Sequence, residues 1–584
     1  MMHSPFALFH SAALDGGWSR SYSSPVDWAF ATSIGQVRSV VEMAEQAIDT
    51  GRHAVLMMSY EAAPAFDPCL RVGQIDEFPL AFAAVFEHPD TVMVPFNSVE
   101  YSQPSFAFRP LVEQTDYNRA LEVVRHHIEQ GDTYQVNLTF PLESDFSGDP
   151  LECFHYMFRG QNPGFGVYLD MGQYVVSSLS PELFFQKRND LIMARPMKGT
   201  ARRGRFPVED ERLAAELGRC PKNQAENVMI VDLLRNDLGK IAVPGSVHVD
   251  RLFHVERYPT VHQMTSTITA MLRSEVTLWD TLAGLFPCGS VTGAPKVSTM
   301  DIIRQLETYP RRVYCGAIGW LAPQGEAVFN VPIRTLIHDT EKKSVRLHVG
   351  SGIVWDSSAA DEYEECLIKM RFVNRSLPEF SLLESLLLEH SHFFLLHAHL
   401  DRLKASARFF DIPVEMDRVH HHLERLAGRL GRARYKVRLT VSQSGHIDIG
   451  SVPLCAQPRT VRSVTIHDVP VDPDDVFLFH KTTRRHIYRE AAEAHPDYDD
   501  VLLVNTRGQI TESCIANIVV QKRGRLFTPP QGDGLLAGTL RNHLVAKKIV
   551  VEQSLFPDDL MTADRLFLVN SVRRFMPIVL HYDV

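Results

Sequence analysis

Apolar residues recur at helical spacing from Tyr117 to Gln130, where Leu121, Val124 and Ile128 follow Thr115-Asp116 as a cap. The next segment, TYQVNLTF, alternates as a strand does. Two further helical patterns run through KNQAENVMIVDLLRNDLGK and onward from Pro295, a residue suited to a first turn, with Met300, Ile303 and Leu306 as the stripe. Between them QYVVSSLS and YCGAIGWLA have the character of strands, so the pattern predicts mixed helix and sheet. The helical pattern ending in KMRFVNR breaks at Pro378 within NRSLPEFS. Domains are therefore expected over residues 1–375 and 376–584. The second has strands of its own (YKVRLTVS, DDVLLVN, RLFLVN) and helices (HLDRLKASARFF, GTLRNHLVAKKI).

A length of 584 residues supports two or more cores. Lys+Arg number 60 against 70 Asp+Glu, a net charge of −10 with no long basic run, which argues against nucleic acid as a partner. The 8 cysteines form no C-x-x-C, so neither a zinc cage nor a disulfide framework is expected, and a reducing cytoplasm is the simplest home. No apolar run approaches the ~18 residues of a membrane span. The start, MMHSPFALFHSAALDGG, lacks a cationic leader, so neither membrane insertion nor export is expected.

Glu226 stands at i to Met229, Ile230 and Leu233 at i+3, i+4 and i+7, on an apolar helix face where an unpaired carboxylate is costly. In DEYEECLIKM, Glu362, Glu365 and Lys369 share a second face. Carboxylates converging from separate helices suit Mg²⁺, although ordinary ion pairs account for them equally well. Glu182 lies in SPELFF, and Lys198 lies in ARPMKGT, a Pro/Gly-bounded turn where a lysine is either plain surface or, once desolvated, a nucleophile. GSVTGAPK, with Thr292 at its centre, is expected to open a helix and offer N–H groups to an anion, but its spacing is not that of a P-loop.

Together SYEAAPAFD, GDTYQVNLT, SPELFF, ARPMKGT, KNQAENVMIVDLLRND, FPCGSVTGAPKVSTMDII, YCGAIGW, VPIRT and GSGIVWDSSAADEYEECLIK resemble the chorismate-utilising enzymes over about residues 50 to 375. Within that superfamily the segment is most similar to the aminodeoxychorismate synthase component I family. Lys198 matches that family's nucleophilic lysine, where anthranilate synthases usually carry alanine. Gln135 stands where isochorismate and salicylate synthases hold a water-activating lysine. The resemblance implies an antiparallel β-sandwich with helices, attack by Lys198 on carbon 2 of chorismate, protonation of the departing 4-hydroxyl by Glu182, and displacement by ammonia at carbon 4. It implies Glu226 and Glu365 as Mg²⁺ ligands, with Arg334, Tyr314, Lys369 and the Gly350-Ser351-Gly352 backbone holding substrate carboxylates. Thr292 and His262 match further active-site positions. Nothing resembles a glutamine amidotransferase, so ammonia is expected free or from a separate glutaminase subunit.

In the second part, Arg402 is expected at the start of a helix and Lys481 just after a strand-like run. Glu512 is expected in a turn, and Gly538-Thr539 opens a helix suited to phosphate. A lysine, an acid for a pyridinium and a phosphate cradle meet the needs of pyridoxal phosphate. These segments resemble the fold-type IV pyridoxal-phosphate enzymes over roughly residues 380 to 580. The resemblance implies Lys481 as the cofactor-bearing lysine, Glu512 as partner of the pyridine nitrogen, and Arg402, Gly538 and Thr539 as phosphate holders. The family's glycine-rich entry is reduced here to EFSLLESLLL. Fusion and resemblance together imply loss of pyruvate from 4-amino-4-deoxychorismate to yield 4-aminobenzoate. The alternatives are an anthranilate synthase-like first domain, and a second domain that is an amino-acid aminotransferase or non-catalytic. Self-association through the second domain stays open.

Other basic clusters read as structural. His420-His421-His422 fall on a solvated helix, His390, His392, His397 and His399 alternate as on a strand, and Arg202-Arg203 either steers an anion or is surface charge.

Overall fold

The computed structural model describes residues 4–581 apart from 12–16, 91–102, 162, 259–260, 375–377 and 455–460. The expected boundary at 375/376 lies outside the described residues. The chain divides into two compact units: one runs up to Arg202 and resumes from Ala214 to Leu377, the other combines Arg203–Leu213 with the chain from Pro378 onward.

The first unit is built on two antiparallel sheets. One of 9 strands carries Gln135–Asp145 beside Ser344–Ile353, then Thr335–Asp339, Tyr174–Ser180 and Phe165–Asp170. The other has 10, with Met197–Arg202 beside Val261–Met271 at one side and Leu183–Arg188, Glu326–Asn330 and Ala317–Ala322 further in. Alternation explains the layering, because each strand sends successive side chains to opposite faces. In His53–Met58, Val55 and Met57 join Phe9, Phe82, Val167 and Trp320 between the sheets. Ala54, Leu56 and Met58 point outward, beneath the helices Ile34–Asp49 and Pro221–Gly239. The outer face of the 9-stranded sheet is covered by Gln114–Gln130, Pro150–Gln161 and Ala359–Met370. The result is the expected helix-clad antiparallel sandwich. The first of those covering helices begins earlier than expected: its cap is Glu113, and Thr115-Asp116 lie in its first turn.

The second unit holds a 4-stranded antiparallel sheet in which Ser381–Glu389 pairs with Tyr435–Ser442, packed by the helices Leu396–Phe409 and Met416–Leu430. Its other sheet has 8 strands and closes on itself where Glu512 pairs with Asn517. Two of its pairings, Arg462–Ile466 with Asp500–Val504 and with Arg574–Leu580, are parallel. Arg203, expected as a steering or surface charge, is buried in this unit, where its guanidinium binds Asp210 through two hydrogen bonds of 2.7 and 2.9 Å. His420–His422 do lie on the helix Met416–Leu430 and are largely exposed. Among the described residues no helix is long and apolar enough to cross a membrane.

Leu423 is fully buried on that helix, against Leu386 and Val437 of the sheet's cluster. Leu423→Ala is expected to cost about 2–5 kcal/mol, seen as a lower urea midpoint in circular dichroism.

Candidate active sites

In the first unit two of the links that carry the chain between the sheets frame the site. Pro181-Glu182 joins Tyr174–Ser180 to Leu183–Arg188, and residues 331–334 lead back from Glu326–Asn330 to Thr335–Asp339. The links are tied together: Val331 N–H donates to the Glu182 carbonyl and Leu179 N–H to the Arg334 carbonyl, both at 3.1 Å. Glu182 is buried, and Ser290 Oγ donates to its Oε1 at 2.6 Å. Burial pushes this carboxyl up to about 7, against the opposing pull of Ser290 and the Lys198 charge. Among the described residues no carboxylate forms an ion pair with Arg334, which the second link holds at φ 52°.

Lys198 is not in a turn. Met197–Arg202 slips by one residue against Val261–Met271 between Met197 and Thr200, a bulge that places Lys198 within an edge strand. Burial lowers its amine from the ordinary lysine range; Glu226 opposes this, Lys369 adds to it, and Glu182 and Glu365 oppose it. The four charged groups named from distant parts of the sequence therefore act on one amine. Gly352 shows how crowded the place is, because a Cβ there would stand 2.8 Å from Lys198 Nζ and 3.1 Å from Gln135 Nε2. Gln135 is fully buried, and neither polar atom of its amide has a hydrogen-bond partner among the described residues. An orphaned amide beside a lysine marks a place where a ligand would complete the bonding.

The surrounding residues close the site. Gly350, Ser351 and Gly352 run alongside Thr139, Leu138 and Asn137. Lys369 Nζ donates to the Gly350 carbonyl at 3.0 Å and pairs with Glu365 at 2.6 Å, while Ser351 donates to Glu362. His262 is buried opposite Ala201 on the neighbouring strand, and the buried Tyr314 ring stacks on His348 at 5.5 Å. Thr292 donates its hydroxyl to the carbonyls of Cys288 and Gly289 at 3.1 and 3.2 Å, bracing its own loop. The helix expected from Pro295 is present, with Pro295 as its cap instead of a first-turn residue. Gly289–Val291 is a single 3-10 turn, Gly293-Ala294 pairs with the Gln135 strand, and the helix begins only at Lys296. Glu226 is half-buried and Glu365 exposed. Among the described residues no three acidic, His or Cys side chains group as a metal cage. Two carboxylates from separate helices suit a hard cation whose remaining ligands are waters and substrate oxygens.

In the second unit, several residues sit on elements other than those expected. Lys481 follows a 3-10 turn, Val476–Leu478, instead of a strand, and Leu383 N–H donates to its carbonyl at 2.8 Å. Burial pulls its amine down to about 8, Arg402 and Arg485 adding to the effect and Glu384 and Glu512 opposing it. Glu512 lies within the strand Ile510–Ser513, and Arg402 lies in mid-helix. Burial pushes Glu512 up to about 7 despite donors from Tyr488 Oη at 2.8 Å, Leu536 N–H at 3.2 Å and Asn517 Nδ2 at 3.1 Å. Lys481, Glu512, Arg402, Gly538 and Thr539 all line one cavity of about 280 Å³. At Gly538 a Cβ would overlap Asn517 Oδ1, so a side chain at the start of the helix Thr539–Ala546 would have to displace that amide.

Behind the cavity lies a network that motif reading missed. Glu384 accepts from Arg402 at 2.8 and 2.6 Å and pairs with His399 Nδ1 at 2.6 Å, while His399 Nε2 meets Thr539 Oγ1 at 3.2 Å. Burial alone would raise this carboxyl; Arg402 and His399 bring it down to about 2. His399 is thus a helix residue, not one of a strand alternation. The available signal was a lone acid inside the apolar run SLLESLLLE.

Residues 27–375 match the family model for chorismate binding enzyme. The chain belongs to the chorismate-binding enzymes. Residues 381–580 of this chorismate-binding chain match the model for amino-transferase class IV. Aminodeoxychorismate synthase component 1 of Klebsiella aerogenes is 36% identical over 330 residues, 56% of this chain and 67% of that protein. The Escherichia coli protein of that name is 41% identical over 263 residues, 45% of this chain and 57% of its own length. Anthranilate synthase component 1 of Saccharolobus solfataricus is 36% identical over 46% of this chain and 63% of its own. The chain thus spans between 57 and 67% of these relatives. The crystal structure of anthranilate synthase component I from Streptococcus pneumoniae shares the fold of the chorismate-binding part, with a TM-score of 0.52 at 23% identity over 64% of this chain and 91% of that one.

Ser290→Ala removes a donor that lowers the Glu182 pKa. The Glu182 carboxyl band in infrared titration is expected to shift to a higher midpoint than the wild type's, itself near 7.

Proposed function

We propose that the first unit aminates chorismate to 4-amino-4-deoxychorismate and that the second, with pyridoxal phosphate, eliminates pyruvate from it to form 4-aminobenzoate. One observation carries the first half: a lysine whose proton is disfavoured and a carboxyl whose proton is favoured act on each other in one site. That is the pairing the amination requires. Neutral Lys198 attacks carbon 2 of chorismate as Glu182 gives its proton to the 4-hydroxyl, which leaves as water while the ring double bonds shift. Ammonia then bonds to carbon 4, and the bond to Lys198 breaks as the double bonds return. The lysine at 198 favours this product over anthranilate.

Glu226 and Glu365 are the residues suited to hold Mg²⁺, which would bind the ring carboxylate. Arg334 lacks an acidic partner among the described residues and is free to take the enolpyruvyl carboxylate through its planar fork. Tyr314, His262, Thr292, Lys369 and the Gly350–Gly352 backbone complete the walls. The chain's own supply of ammonia is not part of this scheme, so a separate glutamine amidotransferase is the proposed partner, in a reducing cytoplasm.

In the second unit Arg402, Gly538 and Thr539 would hold the phosphate and Glu512 the pyridine nitrogen, a reading supported by all four lining one cavity. When bound, pyridoxal phosphate supplies an electron sink at the substrate's amine. Lys481, with its amine near 8, takes the proton from carbon 4 of the ring. Enolpyruvate leaves carbon 3 with the bonding pair, is protonated to pyruvate, and the ring becomes aromatic.

The test is product analysis of the purified chain given chorismate, Mg²⁺, ammonium and pyridoxal phosphate. Equal amounts of 4-aminobenzoate and pyruvate are expected; anthranilate would overturn the reading of Lys198. Lys198→Ala is expected to lose amination, and Lys481→Ala to accumulate 4-amino-4-deoxychorismate. Because Glu182 must be protonated, amination is expected to fall as pH rises through about 7, and to fall on the acid side as Lys198 gains its proton.

A further inference from the structure

The cavity of the second unit carries far more positive charge than its cofactor requires. Seven cationic side chains line it against one carboxylate, Glu512. Arg402 is neutralised from behind by Glu384, Lys481 is the reactive amine, Arg485 donates to the Cys514 carbonyl, and Arg484 lies over the Phe477 ring at 4.6 Å. Three remain. Among the described residues no carboxylate forms an ion pair with Lys436, Arg438 or Arg573.

Their placement is set by the fold. Lys436 and Arg438 alternate with the fully buried Val437 and Leu439 on Tyr435–Ser442, so both turn away from the apolar core and toward the cavity. Arg438 stands opposite Ser385, which also lines the cavity. Arg573 comes from the turn between Arg565–Asn570 and Arg574–Leu580, where Ser571 Oγ donates to the Ser385 carbonyl at 3.5 Å. All three are exposed, whereas Glu512 is buried and Lys481 half-buried. The cations therefore form the mouth and the reactive groups the floor. Burial, then Arg573, Arg438 and Arg485 in turn, lower the Lys436 amine, as expected for like charges gathered without an anion.

A bound phosphate brings about two negative charges, and those meet Arg402 and the helix start. The rim is left for the substrate. An ordinary amino acid has its carboxylate beside the amine, close to the floor. In 4-amino-4-deoxychorismate both carboxylates lie away from the amine, one across the ring and one on the enolpyruvyl arm.

Resting on the proposed reading of this unit, we propose that Lys436, Arg438 and Arg573 bind the two remote carboxylates of the substrate, selecting a dianionic ring amine over an α-amino acid. The variant is Lys436→Gln with Arg438→Gln and Arg573→Gln, in the full chain loaded with pyridoxal phosphate. The probes are 3-(carboxymethoxy)benzoate and its monoanionic counterpart 3-methoxybenzoate, with binding followed by calorimetry. The wild type is expected to bind the dianion at least about tenfold more tightly than the monoanion, a preference the variant loses. The variant is expected to raise KM for 4-amino-4-deoxychorismate by a similar factor, with kcat and the cofactor absorption band much less changed. Arg438→Lys alone should retain most of the preference. Equal binding of both probes by the wild type, or an unchanged preference in the variant, would overturn the assignment. Because the binding arm needs no turnover, a chain that forms no 4-aminobenzoate but still prefers the dianion would refute the lyase reading and leave the rim standing.

Discussion

The hydrogen bonds from Val331 N–H to the Glu182 carbonyl and from Leu179 N–H to the Arg334 carbonyl join two of the links by which the chain crosses the sandwich. Without these ties, the acid and the arginine would sit on separate loops. With them, Glu182 and Arg334 are set by the register of the strands on either side, and the rest of the site is assembled from neighbouring strand ends. Gln135 and Gly352 come from adjacent strands of one sheet, Lys198 and His262 from adjacent strands of the other. Chemistry so placed inherits the rigidity of the sheets, as precise positioning of reacting groups demands.

The second unit solves the same problem with a single buried carboxylate. Glu384 gathers Arg402 and His399, and His399 passes the constraint to Thr539. A buried acid is costly unless its hydrogen bonds are satisfied, and here three donors surround it. One strand residue thereby orients groups from two helices toward one cavity.

Periodic elements were legible in the sequence because they depend on local spacing: the strands at 135, 174, 317, 435 and 565 and the helices at 114, 221 and 296 follow their patterns. What escaped depended on partners distant in the chain. The bulge at Lys198 exists only against the strand that follows Val261. The apolar run before Lys481 looked like a strand, but Asp475 caps Phe477 N–H at 2.9 Å and winds it into a turn. Glu512 was expected in a turn between two strands; the turn ends earlier, at Gly508 with φ 77°, and the strand begins at Ile510. His397 and His399 mimic a strand alternation, yet Leu396, Leu400 and Leu403 give that segment a helical stripe. The meeting of Glu226 and Glu365 at Lys198 spans too much sequence for spacing to reveal; family resemblance carried it.

The closure of the sheet at Glu512 and Asn517 has a further meaning. That seam rests on one register pair, whereas Asn517–Lys522 pairs with Arg565–Asn570 at five positions. A seam this narrow is the place where a closed sheet opens first, with the least loss of backbone bonding. Asn517 reinforces it from the side chain, donating both to Glu512 and to the Leu536 carbonyl at 2.8 Å. Breathing of the sheet and loosening of Glu512 are therefore two readings of one equilibrium: whatever steadies this carboxylate also zips the sheet shut.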